Sequence, residues 1–87
     1  MESKLTIDKY GHKYWYNTNG ERHREGGPAF EYIGVAKSWY LNGELHREDG
    51  PAVEHIDGYR GWYINGKEYT EQEYKYKTRS RKLKKLL

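Results

Sequence analysis

The chain has 87 residues and a mass of 10.4 kDa, the size of one domain that buries about 60–65% of its unfolded surface. Hydrophobic residues make up 34% and charged residues 33%, a balance that leans towards disorder, but 16% are aromatic; each buried ring removes about 150–250 Å² from water, so a small ring-rich fold is expected instead. The formal net charge of +3 is unevenly spread: residues 1–73 hold all 13 acids and 9 of the bases, and the other seven bases follow without an acid, which excludes the body as a basic nucleic-acid surface.

The body is organised by self-similarity at 23 residues. Asn19-Gly20, Asn42-Gly43 and Asn65-Gly66 recur at that interval, as do His23-Arg24-Glu25 with His46-Arg47-Glu48, and Gly27-Pro28-Ala29 with Gly50-Pro51-Ala52. Residues ~10–69 therefore read as two full units and a truncated third. In the first unit Trp15 stands one place early relative to Trp39. Either a one-residue bulge returns it to register, or this terminal unit packs differently as a cap. Asn-Gly is the strongest hairpin-turn signal, because both central positions of a type I′ turn take positive φ. The expected strands are Phe30–Ile33, Ser38–Leu41, Glu44–His46, Val53–Ile56 and the run around Trp62, with a further turn at Asp57-Gly58. Alternation sets Trp39 and Leu41 on one face and Tyr40 on the other, and Trp62 and Ile64 opposite Tyr63. Trp39, Leu41, Phe30, Val53, Trp62 and Ile64 form the expected core. Thr70-Glu71-Gln72-Glu73 has the capping-box pattern, and the Lys/Arg/Leu-rich run after it predicts a helix from ~71. Tyr76, Leu83 and Leu86 or Leu87 form its sparse apolar stripe. The fold class expected is all-β, an antiparallel meander of about three ~23-residue hairpin repeats with a short basic C-terminal helix. The domain division expected is residues 1–73 as the repeat domain and 74–87 as a basic helical tail.

Chemistry-bearing residues fall into a few groups. The duplicated His23-Arg24 and His46-Arg47 suit an anion-binding ridge of guanidinium forks; the rival reading is a structural role between neighbouring hairpins. Tyr40 and Tyr63, exposed beside Arg, have the composition of a protein-interface hot spot or of a base-stacking platform. Lys75, Lys77, Arg79, Arg81, Lys82, Lys84 and Lys85 form a cationic tail able to engage phosphates or an acidic protein surface. His12, His23, His46 and His55 lack metal-ligand spacing, and there is no Cys, so no metal and no cofactor are expected. No nucleophile elbow, phosphate loop or dinucleotide turn is found, and a thin stack of hairpins offers no cleft for acid–base work, so no enzymatic activity is expected. There is no apolar run of membrane-spanning length and no leader pattern, so a cytoplasmic protein without membrane contact is expected. The bare outer strands of an open stack make an edge-strand dimer an expected association.

The run Trp39-Tyr40-Leu41-Asn42-Gly43-Glu44-Leu45-His46-Arg47-Glu48-Asp49-Gly50-Pro51-Ala52 resembles a W-Y-x-N-G-x-x-H-R-x-x-G-P-A repeat found in small proteins of tailed bacteriophages and giant viruses, a distant cousin of MORN repeats. The resemblance covers roughly residues 14–74 and includes the ending Trp62–Lys67 followed by Thr70–Tyr74. It implies a phage-encoded, noncatalytic binding protein that acts in the host cytoplasm on a host protein or complex, including host-defence machinery. The alternative is a nucleic-acid or nucleotide binder that uses Arg24, Arg47, the tyrosines and the tail.

Overall fold

The structure, a computed structural model, describes residues 3–86, with side chains described as far as Arg79. It is mostly antiparallel β-sheet with one C-terminal helix. Strands β1 (Lys4–Ile7), β2 (Lys13–Tyr16), β3 (Phe30–Tyr32), β4 (Ala36–Ser38), β5 (Tyr40–Leu41), β6 (Glu44–Leu45), β7 (Val53–His55), β8 (Arg60–Ile64) and β9 (Lys67–Tyr69) precede helix α1 (Glu71–Leu86). Seven strands form one sheet in the order β1-β2-β3-β4-β7-β8-β9, and β5-β6 form a separate hairpin that leaves the sheet after β4 and returns before β7. β1, which the sequence pattern did not single out, forms one edge.

The Asn-Gly turns differ among themselves. Asn42 (φ 50°) with Gly43 (φ 84°) and Asn65 (φ 49°) with Gly66 (φ 79°) take the left-handed conformation at both positions, as two-residue type I′ hairpins require. At Asn19-Gly20 only Gly20 has positive φ. Asn17 N–H donates to the Glu21 carbonyl and Gly20 N–H to the Asn17 carbonyl, each across about one loop width (2.8 and 3.0 Å), so Thr18, Asn19 and Gly20 form a three-residue loop. The extra residue is thus absorbed in the turn, and Trp15 regains its register. Its N–H donates to Ala29 O (2.8 Å) and its carbonyl accepts from His23 N–H (3.0 Å), as Trp39 bonds Ala52 O (2.7 Å) and His46 N–H (3.0 Å).

The protein is flat. Its extents are 45 × 32 × 18 Å and its radius of gyration is 13.8 Å, against about 12 Å for a compact domain of this length. A sheet this thin cannot bury large rings on both faces. The expected core of tryptophans and aliphatics is therefore corrected: of the six residues expected, Ile64 alone is buried, and Trp39, Leu41, Phe30, Val53 and Trp62 are half-buried. The innermost positions go to Ala29 and Ala52, both fully buried, with Ile64, Tyr74 and the polar side chains of Asn17, His23, Ser38 and His46 around them. Strand register adds an alternating charge row across one face. Lys13 pairs with Glu31, Glu31 with Lys37, Lys37 with Glu54, and Glu54 with Arg60; each such opposite-charge pair contributes about 0.2–1 kcal/mol.

The capping box forms as its pattern predicts. Thr70 N–H donates to Glu73 Oε1 (2.8 Å) and Glu73 N–H donates to Thr70 Oγ1 (3.2 Å). The Thr70 backbone N–H, then its hydroxyl, hold the Glu73 carboxyl below its ordinary value. A carboxylate lowered by folding stabilises the native state above its unfolded pKa, and that contribution is lost as pH falls through the folded one. Acidification below about pH 4 is therefore expected to fray the start of α1, as seen in amide exchange of residues 71–74. Thr70→Ala should cost about 1 kcal/mol at neutral pH and remove that acid sensitivity. An unchanged acid response in Thr70→Ala would show that the box does not anchor the helix.

The apolar stripe expected on α1 is also corrected. Tyr76 is 80% exposed, whereas Tyr74 is 3% exposed and faces the sheet. The side chains of Leu83, Leu86 and Leu87 lie outside the described residues.

Candidate functional site

Two faces of the sheet carry the chemistry. On the first, each of two arginines is clamped by its own unit. The Arg24 guanidinium lies 4.0 Å from the Trp15 ring and that of Arg47 lies 3.8 Å from Trp39. Arg24 Nη1 donates to Pro28 O (3.2 Å), and Arg47 Nη1 to Pro51 O (3.0 Å). Arg47 also pairs with Asp49 (2.9 Å) and Glu54 (3.2 Å). The glycine of each Gly-Pro-Ala is required by this packing: a Cβ at Gly27 would sit 3.0 Å from Arg24 Cζ, and one at Gly50 would sit 2.9 Å from Arg47 Cζ. The motif that spaces Arg from Gly-Pro-Ala is thus a cation–π clamp closed by a backbone carbonyl.

The paired histidines join consecutive hairpins. Asn42 N–H donates to His23 Nδ1 (2.9 Å), and Asn65 N–H donates to His46 Nδ1 (3.0 Å). Each imidazole thereby satisfies a turn N–H of the hairpin that follows. Because Nδ1 accepts, the ring proton is on Nε2. In His46 that Nε2 meets Glu48 Oε2 at 3.2 Å; in His23 it stands 3.8 Å from Glu25 Oε1. Backbone bonds complete the seam: Arg24 N–H to Tyr40 O, Gly43 N–H to Arg22 O, Arg47 N–H to Tyr63 O and Gly66 N–H to Leu45 O. His12 and His55 stand elsewhere. His12 Nδ1 accepts from Ile33 N–H (3.1 Å) and its ring stacks on Tyr32 (4.0 Å), while His55 meets Tyr59 edge-on. Among the described residues no group of three or more His, Cys, Asp or Glu is placed to hold a metal.

The opposite face, by strand alternation, is aromatic. Tyr14 packs on Phe30 (5.2 Å) and lies parallel to Tyr16 (6.4 Å). Arg22 stands over Tyr14, Phe30 and Tyr40 at 5.7, 5.0 and 5.6 Å. Tyr40 and Tyr63 are half-buried here. Between these rings the sheet carries small residues, Ser38 and Gly61, in register with Phe30 and Val53. Burial raises the Tyr63 hydroxyl above its ordinary value, reinforced by the Glu68 charge. At the rim, burial pulls the Asp8 carboxyl up, but the N–H groups of Tyr10 and His12 and the Tyr14 hydroxyl together hold it below the usual value. Arg22, Tyr14 and Phe30 were not singled out from sequence. Arg22 has no counterpart at 23 residues, since Leu45 stands there; period-2 alternation through Tyr14 and Tyr16 is the signal that marks the face.

The tail residues are placed in part. Lys75 pairs with Glu71 (3.2 Å), and Lys77 lies 5.5 Å from the Tyr69 ring. Arg79 is exposed. The side chains of Arg81, Lys82, Lys84 and Lys85 lie outside the described residues. The helix is anchored by Tyr74, whose ring lies 5.0 Å from Trp62. Its hydroxyl donates to the Arg47 carbonyl and accepts from Gly50 N–H (3.2 Å). The structure does not bring the two sets of site residues together: His23, Arg24, His46 and Arg47 belong to the seam and the clamp face, Tyr40 and Tyr63 to the aromatic face. No helix among the described residues is long and apolar enough to cross a membrane.

Searches against protein-family models, curated proteins and solved structures find no match.

Proposed function

We propose that residues ~10–69 are about three tandem hairpin units of ~23 residues, and that the protein is a noncatalytic binding module that engages and perturbs a host protein through its aromatic face. The observation that carries the reading is the cluster of Tyr14, Phe30, Tyr40 and Arg22 on an unlayered sheet face. Aromatic rings and Arg are the side chains that dominate protein-interface energetics, because they present large rigid area at low entropic cost. The clamps on the other face support this division of labour: Arg24 and Arg47 are held by Trp15, Trp39 and proline carbonyls, which keeps the platform flat. The resemblance to phage repeat proteins makes a bacterial protein the partner of this proposal. The charge of α1 favours the second reading, in which its cations contact nucleic acid.

Immobilised protein incubated with bacterial lysate at moderate salt is expected to retain one host protein. Tyr40→Ala with Tyr63→Ala should weaken retention about 30-fold or more, as for a hot spot of ~2 kcal/mol or above, with circular dichroism unchanged. Retention that vanishes with nuclease or falls steeply with salt would favour the nucleic-acid reading. Retention unaffected by the tyrosine pair would overturn the assigned face.

A further inference from the structure

Tyr74 occupies a site made by the second unit, and the first unit builds the same backbone. In the second unit the ring of Tyr74 lies beside Trp62, and its hydroxyl bridges the Arg47 carbonyl and Gly50 N–H. Residue by residue, 23 positions earlier, stand Trp39, the Arg24 carbonyl and Gly27 N–H. The equivalence is geometric as well. Arg24 N–H bonds Tyr40 O (3.1 Å) as Arg47 N–H bonds Tyr63 O (3.2 Å), and Ala29 N–H bonds Ser38 O as Ala52 N–H bonds Gly61 O, both at 2.8 Å. The loop is shaped in both units by a guanidinium folded back on a proline carbonyl. In the first unit this arrangement opens onto a groove of ≈ 780 Å³ lined by Arg24, Gly27, Pro28, Trp39 and, from α1, Thr78. Among the described residues nothing bonds the Arg24 carbonyl or Gly27 N–H.

We propose that this groove receives the side chain of a tyrosine presented by a partner polypeptide, with its ring beside Trp39 and its hydroxyl bridging the Arg24 carbonyl and Gly27 N–H. The chemistry selects the residue. The site asks for one hydroxyl that both donates and accepts, held at the end of a flat apolar ring. Phenylalanine lacks the hydroxyl, tryptophan donates without accepting, and serine or threonine is too short to span from ring to loop. A phosphorylated tyrosine has lost the proton that the Arg24 carbonyl would accept. The inference rests on the tandem-unit reading and is independent of the aromatic face, since its residues are on the opposite side of the sheet.

The test is a titration of the ¹⁵N-labelled protein with N-acetyl-tyrosinamide, followed at the Gly27 amide and the Trp39 indole N–H. Saturable shifts at both positions with a millimolar dissociation constant are expected. The phenylalanine and O-phosphotyrosine analogues should give at least fivefold smaller shifts at equal concentration. A second arm uses Thr78→Tyr, which supplies a phenol from the helix itself. It should melt above Thr78→Phe and abolish the response to free N-acetyl-tyrosinamide. Absence of saturable shifts at Gly27 and Trp39, or equal shifts from the phenylalanine analogue, overturns the proposal. Because neither probe residue belongs to the aromatic face, that failure leaves the result of the Tyr40/Tyr63 experiment standing by itself.

Discussion

Tyr74→Ala is expected to remove most of the stability of the protein. The side chain is one of very few large groups that are buried, at 3% exposure, and it joins α1, Trp62 and the Arg47–Gly50 loop. Aromatic-to-alanine changes in a core cost about 3–5 kcal/mol, against a total of about 4–13 kcal/mol for a domain of this length. Tyr74→Phe separates the contributions. It keeps the ring against Trp62 and strips the hydroxyl, leaving the Arg47 carbonyl and Gly50 N–H without their partner, at about 1–3 kcal/mol. With about 4–8 °C per kcal/mol in a domain this small, the phenylalanine variant should melt about 5–20 °C below the parent, and the alanine variant further still. Urea denaturation followed by tryptophan fluorescence measures both, since Trp62 is the contacting ring. If Tyr74→Ala melted within a few degrees of the parent, the helix would contribute nothing to the sheet.

The second large effect is expected at His46. Its Nδ1 accepts from Asn65 N–H at 3.0 Å while the ring is 7% exposed. Asn65 is locked at positive φ by its turn, so its N–H cannot turn elsewhere for a partner. His46→Ala leaves a buried donor unpaired and a small cavity, together about 2–4 kcal/mol. His46→Asn and His46→Gln distinguish the bond from the packing. The Asn side-chain oxygen falls near the place of Nδ1 and should restore part of the loss, whereas that of Gln falls near Nε2 and should not. The amide shift of Asn65 reports directly on the bond, and His23 with Asn42 offers the same comparison one unit earlier. Equal destabilisation by Asn and Gln would mean that ring volume, rather than the acceptor, is what His46 supplies.

The elements differ in how readily sequence betrays them. Asn42-Gly43 and Asn65-Gly66 form type I′ turns because few residue pairs tolerate positive φ twice, so the local signal nearly determines the local structure. The capping box at Thr70–Glu73 was equally legible, since both partners of each bond lie within four residues. The position of Trp15 was readable only as a choice, because a one-residue insertion can be absorbed in a strand or in a turn; here the loop Thr18-Asn19-Gly20 took it. The core was misjudged for a reason of thickness. In a sheet 18 Å deep there is no second layer to cover tryptophan, so alanine and histidine take the centre and the rings are half-covered by arginine.

Residue types and their 23-residue recurrence thus determined by themselves the antiparallel strands, the turn positions and the start of the helix, because those depend on backbone preferences that act over a few bonds. The partners of each side chain were decided only in three dimensions. Nothing local to Arg47 distinguishes a guanidinium that stacks on Trp39 from one that reaches for a phosphate, and nothing local to α1 favours Tyr74 over Tyr76 as the ring that docks. Those choices are made by which backbone carbonyls and ring faces arrive nearby when distant units meet, and by how little space a flat sheet leaves between them.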